Sequence, residues 1–324
     1  MKEWLVSEAE SGTRSFRYVT RILPGAPAGL LRKSLRKKNI TLNGKKMTGQ
    51  EKLKGGDRIS VWFSEDTLQK FMVPKSVEET KPAVPGFSSL IVYEDRQVLI
   101  LNKPAGFLSQ GDGKGASLND GVLSWLEKEI TPAFRPSICN RLDRNTSGLV
   151  VAGKTMEALQ DLNTLIRTRA IRKYYRALVY GKTEEEGVLR GFMKKDSAEN
   201  KVVWLDHEEE GAYPVETRYK RKEIFLKKGV LYSLVEVELV TGKSHQIRVH
   251  FAHMGHPLLG DPKYGSEESR KASGLLHIHR QMLHACRLVF PDMEGSLAHL
   301  SGKIFEAPVP EDMERLCGRF GAKS

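Results

Sequence analysis

Hydrophobic positions change period several times along the chain, and the changes mark its elements. Leu30, Leu31 and Leu35 recur at helical spacing, and Pro27 suits the first turn of such a helix. Arg32, Lys33, Arg36, Lys37 and Lys38 fill the positions around them, a dense basic face. Ile40-Thr41-Leu42 reads as a short strand, closed by the tight-turn pair Asn43-Gly44. Gly55-Gly56-Asp57 marks a second turn, and Arg58 to Phe63 alternates as a half-buried strand. Over residues 65–87 periodicity stops. Pro74 through Pro85 is polar and proline-bearing, so this stretch predicts a linker.

From Ser88 onward strand patterns dominate. Leu90 to Tyr93 and Val98 to Asn102 read as paired strands about the turn Glu94-Asp95-Arg96. Leu149-Val150-Val151 reads as a short buried strand. After Gly153, Thr155 can cap a helix with Leu159, Leu162 and Ile166 on one face. Further strands are predicted at Ile171 to Tyr180, Val188 to Phe192, Val202 to Trp204, Thr217 to Ile224, Tyr232 to Val240 and Arg287 to Phe290. The expectation is an α+β protein. Residues 88–324 form a large mixed, mostly antiparallel sheet with flanking helices, and a small α+β domain occupies residues 1–64.

Charge sharpens that division. The chain of 324 residues carries a net +12. Residues 1–64 hold fourteen Lys/Arg against five Asp/Glu, an excess of nine. Such asymmetry points to a polyanion, most often nucleic acid. No stretch approaches the apolar length of a membrane-spanning helix, and the first residues show no signal-peptide apolar region. Cys139, Cys286 and Cys317 are odd in number and widely spaced, as in a reducing compartment, so the cytoplasm is the default location.

Candidate chemistry centres on residues 140–155. One carboxylate, Asp143, lies between Arg141 and Arg144 on a polar loop. Thr146, Ser147 and Gly148 let the backbone turn closely before the buried strand. A lone aspartate between arginines ordinarily makes a surface salt bridge. Here, however, Arg141, Leu142, Asp143, Thr146, Ser147 and Gly148 match the motif His-Arg-Leu-Asp-x-x-Thr-Ser-Gly. The stretch resembles the active-site motif of the RluA family of pseudouridine synthases, departing from it at Asn140.

The resemblance covers nearly the whole chain. It includes the Tyr93-Glu94-Asp95 turn and the Asn102-Lys103-Pro104 segment. In the family a Lys-x-Tyr-x-Ala strand carries an active-site tyrosine, which maps to Tyr175 rather than Tyr174. Thr241 to His250 resembles Thr-Gly-Arg-x-His-Gln-Ile-Arg-x-His, with Lys243 in place of the first Arg. Arg248 then maps to the arginine expected to pair with the aspartate. Gly260 to Gly265 and Leu283-His284-Ala285 also follow family patterns and read as a shaped turn and the start of a strand. Residues 14–64, with Leu42-Asn43-Gly44-Lys45, resemble an S-four-type RNA-binding module.

Other chemistry fits poorly. Gly242-Lys243-Ser244 imitates the end of a P-loop, but Val237 stands where that motif needs glycine. The glycine-rich loop from Gly111 to Gly115 carries no phosphate-cradle pattern either. His245, His250, His253 and His256 match no standard zinc spacing, so no metal is expected.

The resemblance implies isomerisation of uridine to pseudouridine in RNA, most naturally large-subunit ribosomal RNA. It implies Asp143, Tyr175 and Arg248 as catalytic residues. Arg141, Arg144 and Lys243 would contact substrate, and Arg32, Arg36 and Lys37 would bind RNA. Breaking C1′–N1 and joining C5 to C1′ gains no atoms or electrons, so no cofactor is required. With no internal repeat and one copy of each motif, one active unit per chain is expected; a monomer is the default expectation. Two alternatives stand beside this reading: a transfer-RNA pseudouridine synthase, and a non-catalytic RNA-binding ribosome-assembly factor. The joint presence of Asp143, Tyr175 and Arg248 argues against the second.

Overall fold

A computed structural model describes residues 1–7, 10–72, 84, 86–111, 115–130, 134–196 and 201–318. The described residues fall into two compact units. One is drawn from Met1–Ala83, Val122–Pro136 and Thr155–Glu157, the other from Val84–Gly121, Ser137–Lys154 and Ala158–Ser324.

The first unit runs β1 (Lys2–Leu5), α1 (Ser15–Ile22), α2 (Ala28–Arg36), β2 (Ile40–Leu42), β3 (Lys45–Lys46), β4 (Arg58–Val61) and α3 (Glu65–Met72). Its strands pair antiparallel in the order β1-β4-β2-β3. Asn43 and Gly44 take φ of 50° and 72°, which suits the twist of a two-residue hairpin turn. The Asn43 side chain donates to Asp57 Oδ1 and accepts from the Arg58 N–H, fixing one turn against the other. Val19, Leu23, Leu31, Leu35, Ile40 and Ile59 form the buried core.

Several expectations shift here. Pro27 immediately precedes α2 as its N-cap. Leu31, Ser34 and Leu35 face inward at helical spacing, so Leu30 falls outside that stripe and is exposed. The strand from Arg58 stops at Val61, leaving Trp62 exposed. Residues 65–72, expected as linker, form α3. Leu68 is buried in the core and Phe71 packs against it. Two inward residues in eight positions leave too short a periodic signal to read, although Glu65 and Asp66 suit the first turn. The middle of the expected linker, 73–83 and 85, lies outside the described residues. Phe87–Leu90 then forms a 3₁₀ turn with Phe87 buried.

The second unit contains β5 (Ile91–Glu94), β6 (Val98–Lys103), α4 (Leu118–Trp125, continuing into the first unit), β7 (Ser137–Ile138), β8 (Ser147–Gly153) and α5 (Met156–Arg167). After these come β9 (Arg172–Tyr180), β10 (Glu186–Asp196), β11 (Lys201–Leu205), β12 (Tyr213–Lys227), β13 (Val230–Leu239) and α6 (Gln246–His253). The last are α7 (Glu267–Leu275), β14 (Leu283–Val289), β15 (Ile304–Glu306) and α8 (Glu311–Gly318). Of the glycine-rich loop, residues 112–114 lie outside the described residues.

One large sheet runs β11-β10-β12-β13-β9-β14-β8-β6-β5, with β15 beside β14 and β7 beside β8. Among the described strands β14 and β8 pair parallel, and the other pairings are antiparallel. The fold is therefore α+β on a mostly antiparallel sheet, as expected. Every residue of β8 is buried, which is why its apolar run reads clearly while its alternation does not. At the start of β8, Gly148 sits at φ 114° and a Cβ would overlap the Ala285 carbonyl. Glycine is what lets β8 and β14 approach there.

Candidate active site

Three local devices fix the loop from Asn140 to Thr146. Asn140 accepts from the Val151 N–H at 2.8 Å and donates to the Leu149 carbonyl at 3.3 Å, tying the loop to β8. An amide that donates and accepts is what this position uses, and Asn meets it. Ser109 Oγ donates to the Leu142 carbonyl and accepts from the Leu142 N–H, at 2.8 and 3.0 Å. Lys103, fully buried at the end of β6, donates to the carbonyls of Pro104, Phe107 and Arg144. Burial pushes its ammonium down to about 7, with the Asp143 charge pulling the other way.

The loop holds Asp143 at the edge of a cavity of about 500 Å³. Arg141, Tyr175, Lys243, His245 and Arg248 also line it. Tyr175 arrives from β9, where Lys173, Tyr175 and Ala177 face one side and Arg172, Tyr174 and Arg176 the other. Tyr174 lies under the Arg287 guanidinium, 4.3 Å from its ring centre, and does not line the cavity. Tyr175 is buried. Burial, then the Asp143 charge, push its hydroxyl pKa up, so it keeps its proton at neutral pH.

Arg248 comes from the first turns of α6. Gln246 anchors that end of the helix: its side chain accepts from Thr241 Oγ1 and the Lys243 N–H, and donates to the Glu216 carbonyl and Thr217 Oγ1. Arg248 Nη1 donates to Asp143 Oδ2 at 2.9 Å. Its Nε and Nη2 make a fork onto Asp261, at 2.7 and 2.8 Å. Burial opposes the charge on this guanidinium, but Asp261 and Asp143 outweigh it and raise its pKa. Burial likewise opposes ionisation of Asp261. Arg248 and the N–H groups of Lys263 and Tyr264 hold it below the usual carboxylate range all the same. Asp143 is thus not a surface salt bridge. It shares a buried arginine with a second, fully buried carboxylate.

The structure therefore brings Asp143, Tyr175 and Arg248 to one cavity, with Arg141 and Lys243 on its lining. Lys243 is exposed and its ammonium sits 4.8 Å over the Tyr213 ring. Arg144 is exposed and donates from Nε to the Gly106 carbonyl at 3.3 Å. Arg32, Arg36 and Lys37 belong to the first unit, exposed along α2 and its C-cap, with Arg32 over the Phe16 ring. The four histidines do not converge on one point. His245 pairs with Tyr264, His250 and His253 pack on Trp204, and His256 meets the Tyr180 carbonyl.

Sequence reasoning missed Asp261 as a site residue. The segment from Gly260 to Gly265 reads as a turn, and it is one: Gly260 has φ 73° and a Cβ there would overlap the Arg280 carbonyl. What the pattern did not carry is that the turn delivers a carboxylate to the far side of Arg248.

A profile of the family described as RNA pseudouridylate synthase matches residues 97–253. The ribosomal large subunit pseudouridine synthase C of Haemophilus influenzae is 32% identical over 291 residues, covering 90% of this chain and 87% of that protein. The ribosomal large subunit pseudouridine synthase D of Nitrosomonas europaea is 30% identical over 321 residues, covering 97% of this chain and 86% of that protein. Among solved structures, human RNA pseudouridylate synthase domain containing 4 has a TM-score of 0.56 at 22% identity, over 72% of this chain and 93% of that one, a likeness of fold. With relatives this similar over most of its length, the chain belongs to the RNA pseudouridylate synthase family.

Proposed function

We propose that this pseudouridine synthase acts on uridines of large-subunit ribosomal RNA, with Asp143 working on the ribose. The observation that carries the reading is the Asp143 carboxylate, fixed by Arg248 in a cavity that Tyr175 also lines. The C1′–N1 bond breaks, the base turns, C5 joins C1′, and the proton lost from C5 is balanced by one gained at N1. An ionised carboxylate meets the electron-poor sugar either by bonding to C1′ or by taking the C2′ proton. Arg248 donates to that carboxylate and aims it. Tyr175 stacks on the extruded uracil.

Extruding a nucleotide costs a few kcal/mol, which contacts to the RNA backbone offset. Arg141, Arg144 and Lys243 supply them near the cavity. The first unit acts as an RNA-binding module, its exposed Arg32, Arg36 and Lys37 meeting phosphates. The protein works as a monomer in the cytoplasm, where ribosomal RNA is made in bacteria; its free cysteines suit that compartment.

Asp143→Asn should abolish pseudouridine formation in a single-turnover assay while RNA binding stays intact. A wild-type-like rate defeats the assignment. Mapping pseudouridines in RNA from cells lacking the gene should show loss from large-subunit ribosomal RNA. Loss confined to transfer RNA would overturn the substrate.

A further inference from the structure

His245 precedes α6 at φ 56° and ψ 14°, a left-handed conformation that glycine takes without strain. Keeping a side chain there costs about 1 kcal/mol or more. That side chain reaches toward the reacting carboxylate: His245 Nε2 lies 3.8 Å from Asp143 Oδ2. Its other nitrogen, Nδ1, is 2.8 Å from the Tyr264 hydroxyl.

The hydroxyl decides which nitrogen carries the proton. Tyr264 already accepts from the Val202 N–H at 3.1 Å. A phenol has one proton to give, and the neighbour placed to take it is His245 Nδ1. In the neutral ring Nδ1 then accepts, and the ring proton sits on Nε2, facing Asp143. The charged and titratable groups around the ring are Asp143, Asp261, Arg248, Lys263 and Tyr264. Burial, with Arg248 and Lys263, outweighs the two carboxylates and holds the imidazole neutral.

Two donors thus approach the same oxygen. Arg248 Nη1 and His245 Nε2 both address Asp143 Oδ2, and among the described residues none donates to Oδ1. We propose that His245 is a positioning residue that, together with Arg248, engages Oδ2 and leaves Oδ1 to face the ribose. At 3.8 Å the His245 contact is longer than a hydrogen bond, and closing it by about 1 Å when RNA seats would make one. The inference rests on the reading that Asp143 performs the chemistry.

The test uses three substitutions in the full chain. His245→Gln keeps an N–H near the Nε2 position. His245→Asn suits the left-handed backbone but falls short of Asp143. His245→Ala removes the group. Single-turnover rates should fall about thirtyfold for Ala and Asn, less than the roughly hundredfold or more for losing a donor to the transition state itself, because His245 acts through Asp143. Gln should recover to within about threefold of wild type, with RNA affinity unchanged in all three. A merely structural role would rank Asn best, because its backbone preference fits. A wild-type rate for Ala, or a Gln variant as slow as Ala, overturns the proposal. If Ala melts early, the comparison of Gln with Asn still decides it. Asp143→Asn is assayed alongside. If it turns over, the reading of the site has failed; if it is inactive while His245→Ala is fast, only the role of His245 has.

Discussion

One site in each unit handles positive charge in the opposite way from the other. In the second, Arg248 is buried and each of its nitrogens meets a carboxylate oxygen. In the first, Arg36 and Lys37 are exposed at the end of α2, with no ion-pair partner among the described residues. A buried, matched charge fixes geometry, and removing one partner strands the other. An exposed, unmatched charge contributes nothing to the fold and is available to a polyanion. Substitutions should therefore couple activity to stability in one unit and separate affinity from stability in the other.

Arg248→Met should give the largest effect. Activity should fall more than a thousandfold, as for losing a group that acts in the transition state. Stability should fall by about 3–5 kcal/mol, because Asp261 is left fully buried without its cation. Denaturant unfolding beside single-turnover kinetics reads both. An inactive variant of unchanged stability would mean that Asp261 finds another partner and that activity and stability are not coupled at Arg248.

The legibility of these charges in sequence differs as their packing does. Asp143 and Arg248 are 105 residues apart, yet each sits in a motif dense enough to identify, and the fold brings them to 2.9 Å. Asp261 is as deeply involved but lies in a turn whose pattern reports backbone shape, not side-chain contact. Lys103 was legible as part of a segment. That it is buried against three carbonyls depends on a loop brought back from residue 144, which no local pattern encodes. Strands of the large sheet were found because they are long and β-rich. Short elements such as β1 and α3 were not, since four and eight residues carry too few inward positions to show a period.

A third way of keeping a titratable group stands between the two in expected size. His250 and His284 are buried, and burial first, with neighbouring positive groups, holds each at about 4 against an ordinary 6.5. Below pH 6.5 the unfolded chain takes up a proton at each that the folded chain refuses. Stability is therefore complete above about 6.5 and is lost as pH falls toward 4. The loss is up to about 3 kcal/mol per histidine. His250→Phe, which can keep the edge contact with Trp204, should remove about half of that acid sensitivity in urea midpoints measured across pH. An unchanged slope would exclude His250 as a source.

Arg36→Ala with Lys37→Ala tests the exposed side of the comparison. RNA affinity should fall roughly tenfold, and the dependence of log affinity on log salt should flatten by about 1–2. Stability should move by less than about 0.5 kcal/mol and the rate on saturating RNA should not change. A flat affinity across the salt titration would show that this face does not meet phosphate.

Lys243→Arg should change least, and it asks whether a charge at the cavity rim behaves like the matched set or the free one. Lys243 lines the cavity but is exposed, and its partner is the Tyr213 ring rather than a carboxylate. Arginine keeps the charge and stacks on an aromatic face at least as well. It adds a planar fork that can take a phosphate through two hydrogen bonds. RNA affinity should therefore tighten by no more than about threefold, with the single-turnover rate and the melting point held. A tenfold loss in rate would mean that the compact ammonium is tied to the geometry around Asp143. Lys243 would then belong with the buried, matched charges despite its exposure.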